Sequence, residues 1–180
     1  MHTGISRRRF AGLLSAAATL AATRLAEAAV PAQPPALAQP EDKTILTVSG
    51  KISVFNKDDT AQFDRGMLEA LGMVSFSTTT PWYNGPVTFE GVPMVKLLKA
   101  VGASGDHVTA LALNDYSTDI PIEDFAKYNV ILALKRDGNY MPVRDKGPLF
   151  IVYPFDSNPE LQEHKYYARA AWQVSRLVVK

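Results

Sequence analysis

SFSTTTPWYNGPVTFEGVPMVKLLKAVG, residues 75–102, holds the features that decide the fold. Met73 opens an alternating strand over residues 73–79, and Pro81 breaks it. A short strand follows at Val87, Thr88 and Phe89, and Glu90-Gly91 reads as a tight turn. Pro93 suits the first turn of a helix, with Val95, Leu97, Leu98 and Val101 as its buried stripe. Gly102 ends that helix. Between strand and helix, residues 78–85 set hydroxyls and Trp82 in a polar loop, where binding residues tend to sit.

Upstream, residues 44–48 alternate and are β-branched, so they predict a first strand, continued past Gly50 by residues 51–55. Asp59 or Thr60 can cap a helix over residues 61–71, with Phe63, Met67, Leu68 and Leu71 on one face and Gly72 at its end. Downstream, residues 107–113 predict a buried strand, 114–119 a polar loop or strand end, and 123–128 a short helix. The apolar run 130–134 predicts a central strand, and Asp137-Gly138 a hairpin turn. Residues 149–153 predict another strand, 156–162 irregular chain, 165–171 a helical turn, and 172–179 a last strand. Many strands with a few short helices, not strictly alternating, indicate an α+β domain with a mixed sheet.

The chain has 180 residues, enough for one domain with a hydrophobic core, and no cysteine. Disulfides, thiolate metal ligands, iron–sulfur clusters and a cysteine nucleophile are therefore excluded. Arg7, Arg8 and Arg9 with Phe10 precede an Ala-rich apolar run. Residues 1–28 thus read as a twin-arginine-like signal peptide and 29–42 as a flexible linker before a domain at 43–180. This implies export to the periplasm with no integral membrane segment after cleavage. Without residues 1–28 the chain holds 15 basic and 17 acidic residues, a net of −2, which gives no electrostatic footprint for nucleic acid.

Five pieces in order resemble the oxidoreductase molybdopterin-binding domain of the sulfite oxidase family. Phe89-Glu-Gly-Val-Pro-Met-Val-Lys-Leu-Leu-Lys-Ala-Val-Gly102 is similar to that family's Gly-Val-Pro-Leu helix. Asn114-Asp-Tyr-Ser with Ile120-Pro121, and Val130-Ile-Leu-Ala133 with Asp137-Gly138, are similar to its glycine-tyrosine-serine segment and its hairpin. Gly147-Pro148-Leu149 with Val152-Tyr-Pro154 is similar to its Gly-Pro-Leu-Arg strand. Tyr166, Arg169 and Trp172 stand where the family carries lysines and a tryptophan. The resemblance implies that fold and a cofactor cleft beside residues 75–82 and 114–116.

The departures bear on function. In that family a cysteine thiolate before the Gly-Val-Pro helix binds molybdenum, whereas residues 75–82 here are rich in Ser and Thr, poor ligands beside a thiolate. The arginine expected after Gly-Pro-Leu is Phe150, and the glycine-x-lysine phosphate anchor has no clean counterpart. The resemblance and its departures together imply a non-catalytic module that binds a ligand or a periplasmic protein partner, with no cofactor. The alternative is a molybdopterin-dependent oxidoreductase whose molybdenum is held without a cysteine. Thr80, Trp82, Asn114, Tyr116, Arg144, Lys146 and Arg169 are the expected cleft-binding residues, for a small anionic or planar ligand. No catalytic and no metal-ligating residue is expected. Asp115 and Asp119 are read as turn and edge residues, and His107 and His164 as surface residues.

Overall fold

A computed structural model describes residues 37–180; the leader and most of the linker read from the sequence lie outside them. The strands are β1 (Leu46–Gly50), β2 (Ala61–Phe63), β3 (Val74–Thr78), β4 (Val87–Pro93), β5 (His107–Ala112), β6 (Ser117–Pro121), β7 (Ile131–Arg136), β8 (Asn139–Tyr140), β9 (Phe150–Val152) and β10 (Val174–Val179). Four short helices interrupt them: α1 (Arg65–Ala70), α2 (Met94–Ala100), α3 (Ile122–Lys127) and α4 (His164–Arg169). The architecture is α+β with a mixed sheet, as the sequence indicates, and it also holds a second, antiparallel sheet that the sequence reading did not separate. One sheet runs β2-β1-β10-β5-β6, the other β3-β4-β7-β8 with β9 also paired to β7. β1 and β10 pair in parallel and the remaining pairs are antiparallel.

Burial follows the strand patterns. β7 is a continuous apolar run because its first four residues are all buried between neighbouring strands and packed side chains. β1 and β10 alternate: Leu46, Val48, Leu177 and Val179 face the core, while Thr47 and Arg176 lie outside it. Asp137 and Gly138 both have positive φ, 49° and 79°, the geometry that a two-residue hairpin turn requires between β7 and β8.

Several expectations are corrected. Residues 61–71 are not one helix: Ala61–Phe63 forms β2, and the helix starts only at Arg65. Ala61 and Phe63 are buried around partly exposed Gln62, so their period is 2. Asp64, not Asp59 or Thr60, is the cap, accepting from the Met67 N–H at 2.8 Å. Residues 51–55 do not extend β1. Glu90-Gly91 is no turn: β4 runs through it as a bulge against β7. There a Cβ on Gly91 would lie 2.2 Å from the Leu132 carbonyl oxygen, so glycine serves close strand approach. In α2 the buried face is Met94, Leu97 and Leu98, and Val95 is exposed.

Asp64 also ties down the chain entering the domain. Its second carboxylate oxygen accepts from the N–H groups of Glu41 at 2.8 Å and Asp42 at 3.1 Å. The Ala38 carbonyl accepts from Asn56 Nδ2 at 2.6 Å. The described end of the linker is thus hydrogen-bonded to the domain.

Two stability outcomes follow. Gly91→Ala drives a methyl into the β7 backbone and is expected to cost about 2–4 kcal/mol in urea unfolding, well beyond the ordinary strand cost of exchanging these residues. Asp64→Ala removes a buried cap and two further bonds to a carboxylate, and is expected to cost about 2–3 kcal/mol at pH 7. Donation from the Met67 N–H, then from Asp42 and Glu41, holds the Asp64 carboxyl below the usual carboxylate range. Its stabilisation is therefore complete above about pH 4 and lost as pH falls through the lowered value. Wild type and Asp64→Ala should converge in stability in strong acid; a constant gap down to pH 2 would contradict the assignment.

Candidate functional site

The loop after β3 is positioned by two polar clamps. At its start, Asp156 accepts from the Thr79 N–H at 2.6 Å and from the Thr79 hydroxyl, while the Asp156 N–H donates to Thr78 Oγ1 at 3.1 Å. These bonds, the Thr79 hydroxyl first, hold the Asp156 carboxyl below its ordinary range. At its centre, the Tyr83 hydroxyl donates to Asp145 at 3.1 Å, and Arg136 Nη1 contacts the same carboxylate at 2.8 Å. The Arg136 guanidinium also lies 4.5 Å from the Tyr83 ring centre. Burial pushes the Tyr83 phenol up, so it remains a donor.

Between the clamps Trp82 turns inward. Its ring stands edge-on to Trp172 at 5.3 Å, Phe150 at 5.5 Å, and Phe155 and Tyr167 both at 6.1 Å. Trp82 is thus both an anchor in an aromatic cluster and a wall of a cleft of about 440 Å³. Asn114 and Tyr116, from the turn joining β5 to β6, line the same cleft. The Tyr116 hydroxyl donates to the Ala168 carbonyl at 2.7 Å, joining that turn to α4. Asn114 Oδ1 accepts from the Tyr116 N–H at 3.3 Å, a bond that does not engage its amide nitrogen.

The opposite wall was not picked out from the sequence. His164, Tyr167 and Ala168 present one face of α4, and Trp172 closes the end. Their spacing at i, i+3 and i+4 is the signal that identifies a shared helix face. His164, read as a surface residue, borders the cleft. The volume suits a small organic ligand, and the walls are mainly aromatic and apolar.

Three cations expected at the cleft are placed differently. Lys146 lies nearest: its ammonium is 5.0 Å from the centre of the Trp172 ring and 5.1 Å from that of Tyr83. Arg144 is exposed on the 3-10 turn Val143–Asp145 and does not line the cleft. Arg169 follows Ala168 on α4, about 100° around the helix, and turns away. It forms an ion pair of 2.7 Å with Asp124, which is buried and also accepts from the Tyr153 hydroxyl at 2.9 Å. Burial and then the Asp124 carboxylate push the Tyr153 phenol far above its ordinary value.

A molybdenum centre can be tested against these side chains. The thiolate that would hold the metal has no source, since the chain has no cysteine. The hydroxyls in its place are engaged: Thr78 Oγ1 donates to the Thr79 carbonyl at 3.3 Å and accepts from Asp156, and Thr80 Oγ1 accepts from the Trp82 N–H at 3.3 Å. Thr78 and Thr80 are both buried. Among the described residues no three His, Asp or Glu side chains converge. Asp119, on the edge strand β6, is engaged by Thr109 and by Lys180 at 3.3 Å. The donor set does not fit a protein-ligated molybdenum, while the aromatic walls fit a flat ring.

The position of Arg169 sets an expectation. Arg169→Ala leaves the buried Asp124 carboxylate uncompensated and should cost about 3–5 kcal/mol of stability, read by thermal or urea unfolding. An unchanged melting temperature would show that this ion pair does not join α3 to α4 in solution.

The comparisons with known proteins agree with this fold. The chain is similar to the crystal structure of the sulfane dehydrogenase SoxCD from Paracoccus pantotrophus, with a TM-score of 0.57 and 18% identity. That likeness covers 74% of this chain and 37% of the other, so this chain spans little more than a third of its neighbour, and it speaks to fold. No curated protein sequence matches the chain. The family model for the oxidoreductase molybdopterin binding domain matches residues 63–155, more than half of the 180 residues, a segment running from the end of β2 through the clamped loop to Phe155. The chain belongs to the oxidoreductase molybdopterin-binding domain family.

Proposed function

We propose that this protein is an exported, non-catalytic binding module that uses the cleft of its family for a small planar ligand. One observation carries the reading: where a metal-binding thiolate would stand, Thr78 and Thr80 hold the local backbone together. The cleft keeps its aromatic walls, Trp82 and Trp172, and offers Asn114 and His164 as polar contacts. A flat ring would pack against the walls, with Asn114 Nδ2 donating to an acceptor on its edge. Lys146, stacked on Trp172, makes the neighbourhood weakly positive and favours a neutral or anionic ligand over a cationic one. Arg7-Arg8 and Phe10 in the leader support export in a folded state.

Two measurements test the reading. Protein purified from the exported fraction of a molybdenum-replete host is expected to hold only substoichiometric molybdenum and to release no pterin fluorescence after acid oxidation. Molybdenum near one per chain would overturn it in favour of an oxidoreductase whose metal is held by the pterin sulfurs alone. For export, Arg7→Lys with Arg8→Lys is expected to retain folded protein inside the cell. Undiminished appearance in the periplasmic fraction would refute a twin-arginine route.

A further inference from the structure

A second concavity has no part in the cleft. β1 and β10 begin to pair at Thr47 and Arg176, and the register between β10 and β5 slips between Val174 and Arg176. Such an irregularity re-aims the residues beside it. At this point a groove of about 320 Å³ opens, lined by Lys43, Ile45, Leu113, Val143, Pro148 and Arg176 among others.

Leu113 is 53% exposed and Val143 50%, high values for large apolar side chains. Gln173 links their backbones: Leu113 N–H donates to the Gln173 carbonyl at 2.9 Å, and Gln173 Nε2 to the Val143 carbonyl at 2.6 Å. Lys43 and Arg176 stand at the groove, and exposed Arg144 follows Val143. Among the described residues none of these three cations forms an ion pair, and no acidic side chain lines the groove. Yet the domain at 43–180 has no net positive charge, with 15 basic and 15 acidic residues. An apolar socket edged by unpaired cations is complementary to an acidic chain carrying an apolar anchor.

We propose that this groove docks an extended acidic segment of a partner protein, with one apolar side chain seated between Leu113 and Val143 and carboxylates on Lys43, Arg144 and Arg176. The chain's own first 36 residues have the wrong sign for this, with four arginines and one glutamate. A membrane surface is a poorer occupant, because the apolar contacts lie in a narrow groove instead of on a broad face.

The test uses the full chain and a blocked five-residue peptide with a leucine between pairs of aspartates, beside its counterpart with lysines. Titration followed by amide NMR should show the acidic peptide binding, with shifts centred on Leu113, Val143 and Arg176. Binding should weaken as potassium chloride rises from about 50 to about 300 mM. The Lys43→Glu, Arg176→Glu variant should lose about tenfold in affinity, and Leu113→Ser, at an exposed site past β5, should lose it through the socket alone. The proposal is overturned by equal binding of the lysine peptide, by shifts elsewhere, by no effect of either variant, or by absence of binding at millimolar peptide. Binding confined to phosphatidylglycerol vesicles, or self-association through the groove, would also overturn it.

Discussion

The two sheets are joined by one short stretch of backbone pairing. Ile151 N–H donates to the Ala171 carbonyl at 2.9 Å, Val174 N–H to the Leu149 carbonyl at 3.0 Å, and Phe150 bridges Trp172. The chain leaves α4, pairs with β9 of one sheet, and then becomes β10 at the centre of the other. Trp172 sits on this crossing. Trp82 and Phe150 pack against it edge-on, at 5.3 and 6.2 Å. The cleft therefore rests on this junction, with walls that come from the loop after β3, the β5–β6 turn and α4. β10 also pairs in parallel with β1, the first strand of the domain, which closes the fold across nearly its full length. Such distant pairing forms only when the last strand is in place.

Around that junction the charged side chains secure loops. Asp145 gathers Tyr83 and Arg136, Asp156 gathers Thr78 and Thr79, and Asp124 gathers Tyr153 and Arg169. Each carboxylate connects segments far apart in sequence, and each is matched by donors, so burial of polar groups costs little. Consistently, no buried side-chain nitrogen or oxygen among the described residues lacks a partner. A domain of a molybdopterin-binding family can thus lack the metal-binding thiolate and remain ordered at that place. The threonines that stand there make the local bonds themselves.

Legibility from sequence varied with the period of each segment. β7, the Asp137-Gly138 turn and β10 were readable because a long apolar run, a turn pair and a strict alternation each have one physical meaning. Residues 61–71 were not, since Phe63, Met67, Leu68 and Leu71 satisfy a helical spacing while Ala61 and Phe63 also satisfy a strand spacing. The pairing with β1 decided between them. Gly91 looked like a turn residue because the reason for it lies on another strand, in the Leu132 carbonyl. At the cleft, Trp82, Asn114 and Tyr116 were named from loop chemistry and from resemblance, and the fold brings these three together. His164 and Tyr167 were passed over because a six-residue helix gives little periodicity to read.

By itself the sequence determined the α+β class, the lack of any thiolate chemistry and the weakly acidic charge of the chain after residue 28, since these depend on composition and local pattern alone. The order of its motifs also pointed to the family that the match over residues 63–155 establishes. Only the tertiary structure decided how individual polar residues are used. Arg169 and Arg144 are both arginines in short turns or helices, yet one is paired to a buried carboxylate and the other is exposed. The difference arises because a side chain's partner is set by which distant segment the sheets bring beside it, and no local pattern carries that information.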